Sequence, residues 1–387
     1  MSTPRRWLAR VALTALSTAL ALGAVEVIAR QLAPPDSFRL QEAEQRDAEC
    51  LSPMDGPGYA WKPGACGANE QGFLGPAVET SPADGTLRIV LLGDSISGDG
   101  RYGRWTAELL SQALGRPVEV LNFGVFGYNP DNELGMWEAL ASRYNPHLVV
   151  HQFCVNDYQH TPVFYRQGGR LMSADNKNGQ LQGVPIALYQ RSALVRWAVG
   201  VRAVRQNRVS VAPFDERAQG VTVAMTALDT KLRQAGVPWV SLRFPYLAER
   251  DDWRPEDLQA ETHFGALLAE LGVPDIDLGP RYAAFGPDRL LQDSAPAELE
   301  ALQSQGTLEG LSPQEAAEVL VSAKHYFPPI APNGQVDRIH PNGFGHYLAA
   351  RALTDWLAPR VDTLAPGLAP YVAPEKSAPR TRTPASR

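Results

Sequence analysis

A serine, a histidine and a carboxylate stand where strand ends and loops would present them to one another. The apolar run Ile89-Val90-Leu91-Leu92 is rich in β-branched residues and reads as a buried strand that stops at the turn-forming trio Gly93-Asp94-Ser95. In an open α/β sheet, loops beyond the carboxyl ends of the strands line the ligand crevice, which is where Ser95 would sit. Its hydroxyl is a poor nucleophile until a base removes the proton. Near the other end, Asp337-Arg338-Ile339-His340-Pro341-Asn342 precedes a helix-period segment from Phe344 to Leu357, with Asn342 placed as its N-cap. Asp337 and His340 stand three residues apart, so the carboxylate can accept a hydrogen bond from imidazole Nδ1 and leave Nε2 facing a serine. Taken alone, the same stretch also reads as a capped helix preceded by two solvated polar residues.

Two middle segments add weight to the chemical reading. Val118 to Phe123 reads as a second strand, followed by Gly124-Val125-Phe126-Gly127-Tyr128-Asn129; His147 to Phe153 reads as a third, ending in Cys154-Val155-Asn156-Asp157. A glycine after one strand offers an unobstructed backbone N–H, and an asparagine after the next offers a side-chain amide. With the Ser95 N–H, these are three preorganised donors for a developing oxyanion. Singly, Gly127 also fits a plain turn residue and Asn156 a loop-capping one.

Together the four blocks resemble the SGNH hydrolases of the GDSL esterase/lipase superfamily, in the order that family carries them. The resemblance implies that Ser95 is the nucleophile, that Asp337 and His340 complete the triad, and that Ser95, Gly127 and Asn156 form the oxyanion hole, the last glycine of its block rather than Gly124. It covers roughly Thr86 to Leu357. Two departures stand out. Family members usually have a glycine two residues before the asparagine, where this chain has Cys154, and the glycines of Ile96-Ser97-Gly98-Asp99-Gly100 are placed differently from the commonest pattern. Both bear on the shape of the pocket wall, and neither removes a catalytic group.

Composition agrees with a folded, globular chain. The chain has 387 residues, 44% hydrophobic and 20% charged, which fits a globular core. A net charge of −6 gives no encouragement to nucleic-acid binding. No metal is required by the expected chemistry, no clustered His/Cys/carboxylate ligand set stands out, and no cofactor is expected. At the N-terminus, Arg5, Arg6 and Arg10 precede an apolar stretch from Val11 to Ala29, interrupted by Glu26 and closed by Arg30. That stretch reads as an export signal or an uncleaved anchor, the anchor being preferred because the apolar pattern continues past Glu26. At about 19 residues it can just cross a bilayer, with the basic flank kept cytoplasmic and the enzyme outside, in the periplasm. Cys50 and Cys66 bracket a Gly/Pro-rich loop and are available for a disulfide in such a compartment; Cys154 is left unpaired at a buried strand end, where it reads as packing.

The remaining sequence is organised around these blocks. Residues 1–35 form the signal or anchor, 36–85 a polar extension, 86–362 the hydrolase domain with an insertion at about 158–215, and 363–387 a disordered tail. The insertion is a candidate lid or substrate-binding element, or simply a helical crossover with loops. A helix near 218–235, a strand at 237–244, a helix near 260–271 and a strand at 273–278 continue the alternation, with helices at 295–326. This implies a three-layer α/β/α, flavodoxin-like fold with a parallel sheet of about five strands. The expected reaction is hydrolysis of an acyl ester through an acyl-serine, with O-acetyl groups of envelope carbohydrate preferred over lipid as the carrier. Acyl transfer to a glycan hydroxyl uses the same triad, and a catalytically idle glycan- or protein-binding domain is the reading from another class.

Overall fold

The apolar run before Ser95 becomes the middle of a sheet. The computed structural model describes residues 3–31, 40–42, 49–167, 170–174, 184–206, 213–248, 250–283, 314–316, 337–366 and 368. In chain order its main elements are α1 (Thr3–Gln31), β1 (Leu40–Glu42), β2 (Leu51–Met54), β3 (Gly58–Trp61), β4 (Leu87–Leu92), α2 (Ser95–Gly98), α3 (Arg101–Leu114), β5 (Val118–Asn122), α4 (Pro130–Ala139) and β6 (Leu148–Phe153). The second half contributes β7 (Val163–Gln167), β8 (Arg170–Ala174), α5 (Ile186–Arg191), α6 (Ala193–Gln206), α7 (Phe214–Ala235), β9 (Trp239–Arg243), α8 (Pro255–Leu271), β10 (Asp275–Asp277), α9 (Gly279–Ala283) and α10 (Gly343–Leu357).

Five strands form a parallel sheet in the order β10-β9-β6-β4-β5. All six residues of β4 and of β6 are buried, as expected for strands covered on both faces. On one side α3 packs against α10; α4, α7 and α8 pack in succession, and right-handed crossovers put them on the opposite face. The order is the doubly wound one in which the chain runs outward in both directions from its first strand. The switch point therefore falls at the carboxyl ends of β4 and β6, where Ser95 and Asn156 follow. The expected helices and strands are present with shifted ends: α7 begins at Phe214, and α8 begins at Pro255, where proline pre-sets the first helical residue. Of the helices expected at 295–326, only residues 314–316 lie inside the described residues, and the expected tail lies almost wholly outside them.

The polar extension and the insertion carry structure that their composition conceals. Residues 51–61 form an antiparallel hairpin, β2–β3, that buries Tyr59 and Trp61 in the main core. Tyr59 sets its ring edge-on to Tyr128 at 5.1 Å and to Phe164 at 4.7 Å. A disulfide joins Cys50 to Cys66 across the hairpin base, 16 residues apart. The insertion is a β7–β8 hairpin, with β1 paired antiparallel to β8, followed by α5 and α6. Closing a 16-residue loop restricts the unfolded chain by about 3 kcal/mol. The double change Cys50→Ser with Cys66→Ser should therefore lower unfolding free energy by about 2–4 kcal/mol in urea titrations. An unchanged midpoint would contradict a stabilising role for the bridge.

Candidate active site

The turn that holds Ser95 is fixed by its neighbours' hydrogen bonds. Asp94 caps α2, its Oδ1 accepting the Ile96 N–H at 2.9 Å. From β6, the side-chain oxygen of Gln152 accepts the Asp94 N–H at 3.1 Å, the Ser97 N–H at 3.2 Å and the Ser97 hydroxyl at 2.9 Å. Because Ser97 gives its proton to Gln152, Tyr102 donates to Ser97 Oγ, at 2.6 Å. The Gly98 N–H returns to the Asp94 carbonyl. That leaves the Ser95 amide as the first-turn donor with no acceptor among the described residues. Space dictates glycine on both sides of this turn. A Cβ at Gly93 would lie 2.4 Å from Ser97 Oγ and 2.5 Å from Gln152 Oε1; one at Gly124 would lie 2.2 Å from Ser97 Cβ.

The loop before α10 brings His340 to Ser95. Ser95 Oγ and His340 Nε2 are 2.6 Å apart, and His340 Nδ1 and Asp337 Oδ2 are 2.7 Å apart. The other Asp337 oxygen accepts the N–H groups of Ile339 at 3.0 Å and His340 at 3.1 Å. Asn342 caps α10 by accepting the Gly345 N–H, and the Arg338 carbonyl accepts the Leu247 N–H at 2.7 Å, so the loop is held at both ends. Burial acts to raise the Asp337 carboxyl, but its hydrogen bonds from the His340 ring and the two amides bring it down to about 2. For His340, burial works against the charged form, and the bond and charge of Asp337, with Asp94 and Asp99 behind, outweigh it and raise the pKa. A second histidine, His346, is fully buried and held down to about 4 by that burial, so it stays neutral.

Asn156 and Gly127 arrive on the two neighbouring loops. Asn156 Nδ2 donates one hydrogen to Asp94 Oδ2 at 2.8 Å, which orients the amide and leaves its second hydrogen. Gly127 adopts φ +72°, in the left-handed region, and a Cβ there would approach the Tyr59 hydroxyl at 3.2 Å. Its loop is braced from the β2–β3 hairpin. The Tyr59 hydroxyl donates to the Phe126 carbonyl at 2.7 Å, and Trp61 Nε1 donates to the Gly124 carbonyl at 2.7 Å. Asn122 joins this loop to the Ser95 turn, accepting the Gly124 N–H at 2.9 Å and donating to the Ser97 carbonyl at 2.7 Å. Asn122 opens the second block of the motif set, whereas Tyr59, Trp61 and Gln152 were not expected at the site. The two aromatics lie in a stretch without periodicity, and a polar side chain inside an apolar strand was the available signal for Gln152.

The surrounding groups also have defined states. Cys154 is buried, and burial followed by the charges of Asp94 and Asp157 pushes its thiol well up, which keeps it protonated and unreactive. Beneath the loops, fully buried Glu133 of α4 faces His151 of β6, with Oε2 and Nε2 2.6 Å apart. Among the described residues no cluster of His, Cys, Asp and Glu is arranged to hold a metal ion. A cavity of about 440 Å³ adjoins the loops of Gly127 and Asn156 through Asn129, Asp157 and Tyr158, and Gln159, His160 and Arg217 also line it.

Residues 91–348 match the family model described as the GDSL-like lipase/acylhydrolase family. Among solved structures, an acetyl xylan esterase aligns at 13% identity over 70% of this chain and 100% of that one, with a TM-score of 0.39. An acetylxylan esterase from Geobacillus stearothermophilus aligns at 13% identity over 70% and 93% of the two chains, TM-score 0.38. A gut microbial diltiazem-metabolizing enzyme aligns at 16% identity over 71% of this chain, which spans only 47% of that one, TM-score 0.39. No curated protein matches the chain.

Gln152 is the acceptor on which the Ser95 turn rests. Gln152→Leu leaves the Asp94 and Ser97 amides buried without it, an expected loss of about 1–3 kcal/mol per unsatisfied group. Urea unfolding of the variant should register that loss, and wild-type stability would show that the turn has another support.

Proposed function

The chain belongs to the GDSL-like lipase/acylhydrolase family, and we propose that this ester hydrolase works through an acyl-serine intermediate on Ser95. The observation that carries the reading is the unbroken line of hydrogen bonds from Ser95 Oγ through both ring nitrogens of His340 to Asp337. His340 Nδ1–H donates its hydrogen bond to Asp337, so Nε2 is the bare nitrogen and accepts the serine proton as Oγ attacks the ester carbonyl. The imidazolium that forms faces a carboxylate held ionised. The tetrahedral oxyanion takes hydrogen bonds from the Ser95 and Gly127 amides and the second Asn156 hydrogen. His340 returns the proton to the leaving alcohol, then activates the water that releases the acid.

Small acyl groups on a carbohydrate are the proposed substrate. The cavity beside the Gly127 and Asn156 loops supports this, because Gln159 and His160 line it with side chains able to hydrogen-bond sugar hydroxyls. Location outside the cytoplasm, with α1 as the anchor, is proposed on two features. One apolar helix segment, Arg10–Gln31, is long enough to cross a bilayer, and the Cys50–Cys66 bridge suits an oxidising compartment.

Turnover of p-nitrophenyl esters tests the chemistry. Ser95→Ala and His340→Ala should reduce acetate hydrolysis to near background, while Asn156→Ala should be slower by about 10²–10³, equivalent to about 2.7–4 kcal/mol. Wild-type rates in either triad variant would sink the mechanism. Acetyl should be preferred over long acyl chains, and the reverse order would remove the carbohydrate reading. The pH profile carries its own sign. His340 is active only when neutral, and its pKa is raised, so kcat/KM should fall on the acid side with a midpoint above the ordinary histidine value of about 6.5. A midpoint below that value would contradict the Asp337 contact.

A further inference from the structure

Glu26 is an anomaly in the N-terminal helix until its contacts are traced. The Arg10–Gln31 segment has a mean hydropathy of 2.0 and an 18-residue window with none of its residues buried. Its apolar side chains from Val11 to Ile28 stand exposed, as suits a helix meant for lipid, and burial begins only at Ala29. A carboxylate inside such a span is costly unless paired. Here it is paired completely: Oε2 accepts the Ser192 hydroxyl at 2.7 Å and the Leu194 N–H at 2.9 Å, and Oε1 accepts the Ala193 N–H at 2.8 Å and Arg30 Nε at 3.0 Å. Ala193 is the first residue of α6, whose opening amides have no partner within the helix. Glu26 thus supplies the cap of α6 from more than 160 residues away, with its charge at the positive end of the helix dipole.

From this geometry we infer that α5 and α6 form a membrane-apposed surface, clamped to the span by Glu26 and seated in the phospholipid interface. The inference rests on the proposed reading of α1 as a retained anchor. Glu26 lies five residues before Gln31, roughly 7.5 Å along the helix at about 1.5 Å per residue. The first turn of α6 is therefore held near headgroup depth. Outside α1, the large apolar side chains that stand exposed among the described residues are Leu188, Trp197 and Val223, and two of these three flank the clamp. Leu188 on α5 is 50% exposed and Trp197 on α6 is 40% exposed, and tryptophan is the side chain favoured at a membrane–water boundary. The same unit reaches the site. Gln190 Nε2 donates to the carbonyls of Phe164 at 2.9 Å and Gly58 at 2.8 Å, and Gly58 adjoins Tyr59, which braces the Gly127 loop. Membrane seating and the oxyanion loop are thereby joined through one hairpin.

The test uses the full chain in phosphatidylcholine nanodiscs, with spin labels introduced by Leu188→Cys, Trp197→Cys and, on α7, Val223→Cys. Labels at 188 and 197 should favour dissolved oxygen over a water-soluble nickel chelate several-fold more than the label at 223. Glu26→Ala should erase that difference while the chain stays in the bilayer. Nickel accessibility at 188 and 197 equal to that at 223 overturns the inference, as does low accessibility to both reagents, which would mean a protein covers the patch. An unaltered difference in Glu26→Ala overturns the clamp. Alkaline carbonate washing separates the premise from the inference. Release of the wild-type chain removes the anchor itself, whereas retention with water-exposed labels removes only the docked surface.

Discussion

Everything at this site depends on a hydrogen bond between two residues 245 positions apart, Ser95 Oγ and His340 Nε2. Neither partner can adjust freely. Ser95 rides on a buried strand end whose turn is occupied by Gln152, Ser97 and Tyr102, and His340 rides on a loop pinned by Asp337, Asn342 and the Leu247 amide. The parallel sheet makes the meeting possible by bringing the carboxyl ends of β4 and β6 to one edge, with α10 packed on α3 beside them. The fold's task is to hold a short distance fixed across a long separation.

Asp94 links the two halves of the chemistry. One oxygen caps the helix that Ser95 opens and the other orients the Asn156 amide. The arrangement couples Ser95 and Asn156 through a single buried carboxylate, so a shift in one loop is felt in the other. The β2–β3 hairpin performs the same service for Gly127 from the opposite side, through Tyr59 and Trp61. The extension before the hydrolase core is thus part of the site's scaffold.

The legible portion of the sequence was the part where chemistry and period coincide. β4, β5 and β6 were readable because buried parallel strands are short apolar runs with Gly, Asn or Asp at their ends, and the four blocks sit at those ends. Asn342 was readable as a cap because its side chain precedes a helical period. The hairpin carrying Tyr59 and Trp61 was not, since its partners are made by tertiary contact and its flanks are turn-rich. Strand ends such as Val237 and Val273 slipped because apolar residues just outside a ladder look like those within it. Glu26 read as an interruption in an apolar run; its purpose exists only once α6 is folded beside it.

The central claim is that Ser95 carries the acyl group during turnover. Acid quenching within the first turnovers on p-nitrophenyl acetate, followed by peptide mass mapping, tests it most directly. One acetyl group on the peptide containing Ser95, absent in its Ser95→Ala counterpart, is the predicted result. Acetyl found on another residue, or none trapped while an initial burst of nitrophenol is seen, would contradict it.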